Sequence, residues 1–124
     1  MARILVAEDE GPVREFVARA LATQGHEVTA VADGLSALAA LNAEDGFQLL
    51  ITDIVMPGLD GIALALKVAK DRPLVPIILM TGYAHERQRA HNLEELIHQV
   101  LTKPFTLQDI CEAAAAALAR PSPP

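Results

Sequence analysis

A chain of 124 residues with a net charge of −6 fits one domain that can bury a core without disulfides or metal staples. The acidic charge and the scarcity of aromatic rings argue against a nucleic-acid partner, and the single cysteine fits a reducing cytoplasm. No charged-then-apolar leader opens the chain and no uncharged run approaches the ~18 residues of a membrane span, so we expect a cytoplasmic protein without a membrane partner.

The first part of the chain alternates short strands with helices. Residues 4–7 are an apolar run without alternation, which predicts a strand buried on both faces. A helix begins near Pro12 and stops at Gly25. Residues 26–31 are rich in β-branched side chains and predict a second strand. Asp33 can then cap a second helix, which runs over Leu35, Leu38 and Leu41.

The third predicted strand organises the rest of the chain. Residues 48–53 hold the apolar run Leu49-Leu50-Ile51, and the strand delivers Asp53 to its carboxyl end. Ligands bind at that end of open α/β sheets. The pairs Pro57-Gly58 and Asp60-Gly61 impose turns before the next helix can start. One ionisable group is therefore expected at the mouth of an apolar sheet.

The alternation continues beyond this strand. Residues 62–70 are predicted to be helical, and residues 76–80 form another buried strand that ends at Thr81-Gly82. Residues 85–92 are almost wholly polar, so a helix there has little apolar surface to bury. We therefore expect residues 84–96 to be the loosest part of the fold, the kind of region from which switching elements are drawn.

The last predicted elements are one strand and one helix. Residues 100–102 are a brief strand, ended by Lys103-Pro104, a pair that can adopt a cis peptide bond. Thr106 and Asp109 form a pair like a capping box, with Asp in place of Glu, and mark the start of the final helix. Cys111 shares an apolar face of that helix and is expected to fill core space.

Five βα units predict an α/β fold, with a five-stranded parallel sheet and helices on both of its faces. We find no repeat, linker or second domain in the sequence. Residues 1–120 are expected to form the domain, and residues 121–124 a Pro-rich tail. The ends of parallel strands share one edge of the sheet, so residues distant in sequence meet there.

Polar side chains follow the strands at that edge: Glu8 and Asp9 after the first, Asp53 after the third, Thr81 after the fourth and Lys103 after the fifth. Asp9 and Asp53 would repel each other, and Mg²⁺, which prefers oxygen ligands, would relieve the repulsion. Lys103 is suited to pairing with a carboxylate or a phosphoryl oxygen. A carboxylate nucleophile, a metal ion and a lysine together indicate phosphoryl transfer.

This arrangement resembles a response-regulator receiver domain, whose fold is a flavodoxin-like (βα)5 unit, over nearly the whole chain. Thr81 lies 28 residues after Asp53 and Lys103 lies 50 residues after it, as in that family. The motifs that support the resemblance are Glu8-Asp9, Asp53, Pro57, Asp60-Gly61, Thr81-Gly82 and Lys103-Pro104-Phe105.

The resemblance implies that Asp53 accepts a phosphoryl group in a Mg²⁺-dependent reaction. It implies that Asp9 binds the ion directly and Glu8 through water, and that the Val55 backbone carbonyl supplies another ligand. The phosphoryl oxygens would be held by Thr81 and Lys103. The chain would then be no enzyme in the ordinary sense, since it would catalyse only its own phosphorylation and dephosphorylation.

A receiver implies a phosphoryl donor and an output partner. The donor would be a histidine kinase or a histidine phosphotransferase. The chain looks like the single-domain type, which binds a protein partner differently once phosphorylated. It is similar to the receivers that regulate proteolysis in the bacterial cell cycle, a resemblance that rests on residues 100–105 and the polar segment before them. The output partner would then be a protease or its adaptor.

Two other functions remain open at this point. The chain could be a receiver-like interaction module that is never phosphorylated, in which Asp53 and the neighbouring acids hold a structural metal. It could also be a phosphotransferase acting on small molecules, but Val55 stands where such enzymes carry a second aspartate.

The sequence also departs from the receiver pattern. Val100 occupies a position where receivers often carry an aromatic ring. Val55 and Tyr83 would flank the approach of water to the phosphoryl group, which predicts slow dephosphorylation.

Overall fold

The computed structural model describes residues 2–82, 88–90, 93 and 96–119. The strands are β1 (Arg3–Ala7), β2 (Glu27–Val31), β3 (Leu49–Asp53), β4 (Ile77–Thr81) and β5 (Gln99–Thr102). The helices are α1 (Gly11–Ala22), α2 (Gly34–Ala43), α3 (Gly61–Asp71) and α4 (Leu107–Leu118). Among the described residues, no helix is long and apolar enough to cross a membrane.

All five strands pair in parallel, in the order β2-β1-β3-β4-β5. The chain therefore starts with an interior strand, adds β2 at one edge, and then crosses back past β1 to add β3, β4 and β5 on the other side. Every residue of β3 and β4 is buried, which explains why these runs are apolar without alternation. The predicted five-stranded parallel α/β fold is confirmed.

Helices cover both faces of the sheet. On one face α1 and α4 pack against alternate strand residues, with Val17, Leu21 and Ile110 fully buried. On the other face α2 and α3 do the same through side chains that include Leu41 and Leu64. Burial of such side chains contributes roughly 1.5–3 kcal/mol each and dominates the stability of the domain.

The second helix faces the core differently from the stripe of leucines in its sequence. Leu41 is buried and Leu38 packs against the core as expected, but Leu35 is 63% exposed and Ala37 is buried. The reason lies at the start of the helix, where Gly34 packs so closely on the loop after β3 that a Cβ there would lie 2.3 Å from the Leu59 carbonyl oxygen. This contact fixes the rotation of α2 and leaves the Leu35 side chain on the outer side of the loop.

The predicted helix signals operate as expected. The Asp33 side chain accepts a hydrogen bond from the Ser36 amide at 2.7 Å. Thr106 and Asp109 form the reciprocal capping box of α4, with bonds of 3.0 and 2.9 Å. Cys111 is half-buried against the core beside α1, and the Lys103-Pro104 peptide bond is cis.

The polar segment between β4 and β5 falls mostly outside the described residues, and so does Tyr83. Within it, residues 88–90 are helical and Ala90 is buried in the core cluster on the α2–α3 face. Val100 packs against the same cluster. The expectation that residues 84–96 form the loosest part of the fold stays a prediction.

Candidate functional site

The site lies at the carboxyl edge of the sheet, where four strand ends bring polar side chains together. Glu8 follows β1, and its amide donates to the Val31 carbonyl at 3.0 Å. Asp53 is the last residue of β3, and Thr81, fully buried, is the last residue of β4. The Lys103 amide donates to the Thr81 carbonyl at 2.7 Å, which anchors the lysine beside the central strands.

The Lys103 ammonium bridges two carboxylates. Its Nζ lies 2.7 Å from Glu8 Oε1 and 3.1 Å from Asp53 Oδ1. The Glu8 side chain has no exposed surface, and that of Asp53 is 8% exposed. The second Glu8 oxygen, Oε2, accepts a hydrogen bond from the Glu10 amide at 3.2 Å. The lysine is therefore the principal counter-charge of two buried acids.

Burial shifts the pKa values of these groups. Desolvation raises the pKa of Glu8 to about 7, although the Lys103 hydrogen bond acts in the opposite direction. Desolvation also raises the pKa of Asp53, and the Asp9 charge adds to this while Lys103 opposes it. Burial acts to lower the pKa of Lys103, but its bonds to Glu8 and Asp53 outweigh burial and raise it. Lys103 therefore offsets only part of the cost of burying these two carboxylates.

Three carboxylates at this edge could share a metal ion. Glu8, Asp9 and Asp53 each offer an oxygen, and these oxygens lie within 4.8 Å of one another. An all-oxygen donor set with excess negative charge suits Mg²⁺, which also keeps part of its water shell. Asp9 is exposed, so water and an ion can reach it. The residues present therefore fit the expected ion.

The loop after Asp53 passes close to the strand end. The Gly61 amide donates to the Ile54 carbonyl at 2.8 Å. A Cβ at Gly61 would lie 1.9 Å from the Asp53 carbonyl oxygen, so this approach needs a glycine. Val55, on the same loop, is 52% exposed.

A cavity of about 620 Å³ opens over the site. Asp9, Asp53, Val55 and Lys103 line its polar side. The other side is apolar and comes from α1 and the loop after β5, through Pro12, Val13, Phe16, Pro104 and Phe105. Asp53 can be reached from solvent through this opening.

The structure brings Glu8, Asp9, Asp53 and Lys103 together and places Val55 and Thr81 beside them, as the sequence led us to expect. Two features were missed. The first is that Lys103 lies closer to Glu8 than to Asp53. Nothing in the sequence indicated this beyond the presence of the acids. The apolar wall could have been suspected from Phe105 directly after Lys103-Pro104 and from Phe16 on α1, whose rings lie 6.3 Å apart.

This fold, with charged side chains gathered at the carboxyl edge of its sheet, defines a signalling domain of the doubly wound α/β class. The chain belongs to the response regulator receiver domain family, whose model matches residues 4–115. It is therefore a receiver domain of the kind found in bacterial two-component systems, a signalling module and not a classical enzyme.

Several bacterial proteins are similar to it. The response regulator receiver protein CpdR of Brucella abortus is 41% identical over 110 residues, which cover 89% of this chain and 91% of CpdR. The transcriptional regulatory protein TcrA of Mycobacterium tuberculosis is 36% identical over 121 residues, 98% of this chain but 47% of TcrA. The chain thus spans about half the length of TcrA and most of the length of CpdR.

Solved structures show the same fold. A response regulator receiver domain protein from Clostridium thermocellum superposes with a TM-score of 0.87 at 27% identity, covering 95% of this chain and 94% of that one. The response regulator TrrA of Thermotoga maritima, in complex with Mg²⁺-BeF, superposes with a TM-score of 0.85 at 30% identity, covering 95% of this chain and all of TrrA.

Proposed function

We propose that this receiver accepts a phosphoryl group on Asp53 in a Mg²⁺-dependent reaction and then binds a protein partner with altered affinity. The observation that supports this most directly is the Lys103 ammonium, 3.1 Å from Asp53 Oδ1, beside a cluster of carboxylates. Glu8 has the adjacent cation but does not line the cavity. Asp53 has both.

The reaction we propose is a displacement at phosphorus. An Asp53 carboxylate oxygen attacks the phosphorus of a phosphohistidine, and a new oxygen–phosphorus bond forms while the phosphorus–nitrogen bond breaks. The electron pair of the broken bond stays on the histidine ring, which remains on the donor protein. The donor is a histidine kinase or a histidine phosphotransferase.

Each site residue has a proposed task in this step. Lys103 neutralises charge on the phosphoryl oxygens, and the Thr81 hydroxyl donates to one of them after transfer. Asp9, Asp53 and the Val55 carbonyl would hold the Mg²⁺ ion directly, and Glu8 would hold it through water while it positions Lys103. When bound, the ion neutralises the carboxylates and the negative charge that develops in the transition state.

Phosphorylation would alter the partner-binding surface through charge. An aspartyl phosphate carries roughly −1.5 to −2 charges if it ionises as other protein phosphates do, and since the carboxylate charge of −1 is replaced, the net addition is about −0.5 to −1. The proposed output partner is a protease or its adaptor, following the resemblance at residues 100–105. We also place the reaction in the cytoplasm, because the single Cys111 fits a reducing compartment.

The decisive experiment is incubation with acetyl phosphate and Mg²⁺, followed by intact mass measurement. One phosphoryl group should be added to the wild type and none to Asp53→Asn. Chelation of Mg²⁺ by EDTA should also abolish the mass increase. Asp45→Asn, which changes an exposed acid distant from the site, is the matched control and should be labelled normally.

The same experiment separates the alternative function. Labelling that survives Asp53→Asn would contradict the assignment of the phosphoacceptor. A wild-type chain that binds Mg²⁺ but takes up no phosphoryl group would support the interaction module with a structural metal. For the output partner, affinity purification with wild type and Asp53→Asn, each with and without acetyl phosphate, should retain the protease or adaptor in a phosphorylation-dependent way.

A further inference from the structure

An ion pair joins two segments that leave neighbouring strands at the site. Arg89 Nη2 lies 3.0 Å from Asp60 Oδ2. Asp60 belongs to the loop that follows Asp53, and Arg89 belongs to the segment that follows Thr81. The pair therefore connects the chain after the proposed phosphoacceptor with the chain after the proposed phosphoryl-binding hydroxyl.

Asp60 uses its two carboxylate oxygens for two different elements. Oδ1 accepts from the Ala63 amide at 2.9 Å and caps α3, while Oδ2 faces Arg89. The next residue, Gly61, lies against the Asp53 carbonyl. A shift of the Asp53 backbone would therefore be passed to Asp60 within one residue of that contact.

Arg89 is adjacent in sequence to a residue that is buried in the core. Its neighbour Ala90 has no exposed surface and packs in the core cluster that includes Ile97. The Ala90 carbonyl also accepts from the Leu93 amide at 2.9 Å. The short helical stretch at residues 88–90 is thus attached to the core on one side and to the Asp60 loop on the other.

We propose that the Asp60–Arg89 ion pair is a conformational device that stabilises the arrangement in which Lys103 contacts Glu8 and Asp53, and that opposes the rearrangement on phosphorylation. The inference rests on the proposed function, since it concerns the response of the same site. The ion pair requires that Asp60 is ionised. Burial acts to raise the pKa of Asp60, but hydrogen bonds from the Ala63 amide and from Arg89 outweigh burial and lower it.

The expected size of the ion pair's effect depends on how exposed the Arg89 and Asp60 side chains are to water. The Arg89 and Asp60 side chains are 47% and 33% exposed, so the pair is screened by water. Pairs of this kind change an equilibrium by about two- to five-fold. A ligand that binds the rearranged state must first overcome the stabilisation that the ion pair gives to the starting arrangement. Removal of the pair should therefore increase the apparent affinity of that ligand by about two- to five-fold.

The probe is beryllofluoride with Mg²⁺, a stand-in for the phosphoryl group. It is titrated into the isotope-labelled 124-residue chain, and binding is followed by amide NMR shifts. Arg89→Ala should bind it about two- to five-fold more tightly than wild type. Asp60→Asn should give the same increase, because Asn still caps α3 but carries no charge. The double variant should show no further increase. Arg19→Ala removes an exposed charge from α1 and should leave the affinity unchanged.

Unchanged or weaker binding by Arg89→Ala, in a wild type that does bind beryllofluoride, would overturn this inference and leave the proposed function intact. Additive effects of the two substitutions would overturn it as well, because they would show that the residues act separately. A wild type that binds no beryllofluoride with Mg²⁺ would count against the proposed function itself, and the inference would fall with it.

Discussion

Lys103 and Glu8 lie 95 residues apart in sequence, yet their side chains meet at 2.7 Å inside the protein. A fully buried carboxylate is costly unless it is paired and hydrogen-bonded, and Glu8 obtains both from Lys103 and the Glu10 amide. The same ammonium reaches Asp53 at 3.1 Å. The lysine therefore has a structural task in addition to any role in phosphoryl transfer, and the two can be measured separately.

Lys103→Met should lower the free energy of unfolding by about 2 kcal/mol in EDTA. Breaking a fully buried pair costs roughly 3–5 kcal/mol, and the value here should be smaller because the lysine is 20% exposed and Glu8 can take up a proton. Urea unfolding at neutral pH is the measurement. The double variant Glu8→Gln, Lys103→Met should recover part of the loss. Equal stability of Lys103→Met and wild type would contradict this account of the pair.

Mg²⁺ should stabilise the wild type, since an ion that binds only the folded state raises the free energy of unfolding. At ten times its dissociation constant the gain is about 1.4 kcal/mol. Asp9→Asn should remove most of this gain, because Asp9 is the exposed member of the acidic cluster that an ion reaches first. Thermal unfolding in EDTA and in excess Mg²⁺ measures it. Asp71→Asn, at the exposed end of α3, is the control and should be stabilised by Mg²⁺ as much as wild type. If Mg²⁺ stabilised Asp9→Asn as much as wild type, Asp9 would not be one of the ligands.

Gly61→Ala should destabilise the domain by roughly 1–3 kcal/mol, as overpacking does. The new methyl group would lie 1.9 Å from the Asp53 carbonyl oxygen and 2.9 Å from the Ile54 Cα, both of them backbone atoms. Gly11→Ala is the matched control in α1, where the nearest atom is Arg14 Nη2 at 3.7 Å. That change should cost nothing. Equal stability of the two variants would show that the loop after Asp53 is not held at this distance.

Much of this fold follows from the sequence because its signals are local and consistent. The apolar runs of β3 and β4 can only be buried on both faces, and the caps at Asp33 and Thr106 act within three residues. Parallel pairing then brings the strand ends to one edge. The rotation of α2 could not be predicted, because it depends on the contact between Gly34 and the distant Leu59.

The same distinction holds in the site. The convergence of Asp9, Asp53 and Lys103 follows from where each stands relative to a strand. The choice of Glu8 as the nearer partner of Lys103 does not, since it depends on side-chain reach across the edge. The Asp60–Arg89 pair could not be predicted either. The sequence around Arg89 is polar, and its distance from Asp60 along the chain does not distinguish it from other exposed arginines. Such pairings are decided by tertiary distances that a sequence pattern does not contain.

His26 should make stability depend on pH. Its Nδ1 accepts a hydrogen bond from the Ala2 amide at 3.2 Å, which requires a neutral nitrogen. Burial lowers the pKa of His26 below the ordinary value of 6.5. The neutral ring is therefore favoured in the folded state, and its contribution is fully present above pH 6.5 and is lost as the pH falls through the folded pKa.

The measurement is the free energy of unfolding of wild type and His26→Asn at pH 7.5 and 5.5. The wild type should lose more stability over this interval, by up to about 1 kcal/mol, the size of one net hydrogen bond. His98→Asn, before β5, controls for removal of a histidine. Equal losses in wild type and His26→Asn would show that this hydrogen bond contributes nothing measurable.

Dephosphorylation should be slow, and the side chain of Val55 should contribute to its rate. Val55 lines the cavity at the site and is half exposed, so it stands where water approaches the phosphoryl group. Its side chain has no group that could orient that water, and general-base assistance is typically worth ~10²–10⁴-fold when present. The double variant Val55→Asn, Tyr83→Glu should therefore lose its phosphoryl group about tenfold faster than wild type, as measured by intact mass after removal of acetyl phosphate. Leu74→Asn, an equally drastic change at an exposed site away from the cavity, should leave the rate unaltered. An unchanged rate in the double variant would mean that the lifetime is set elsewhere in the site.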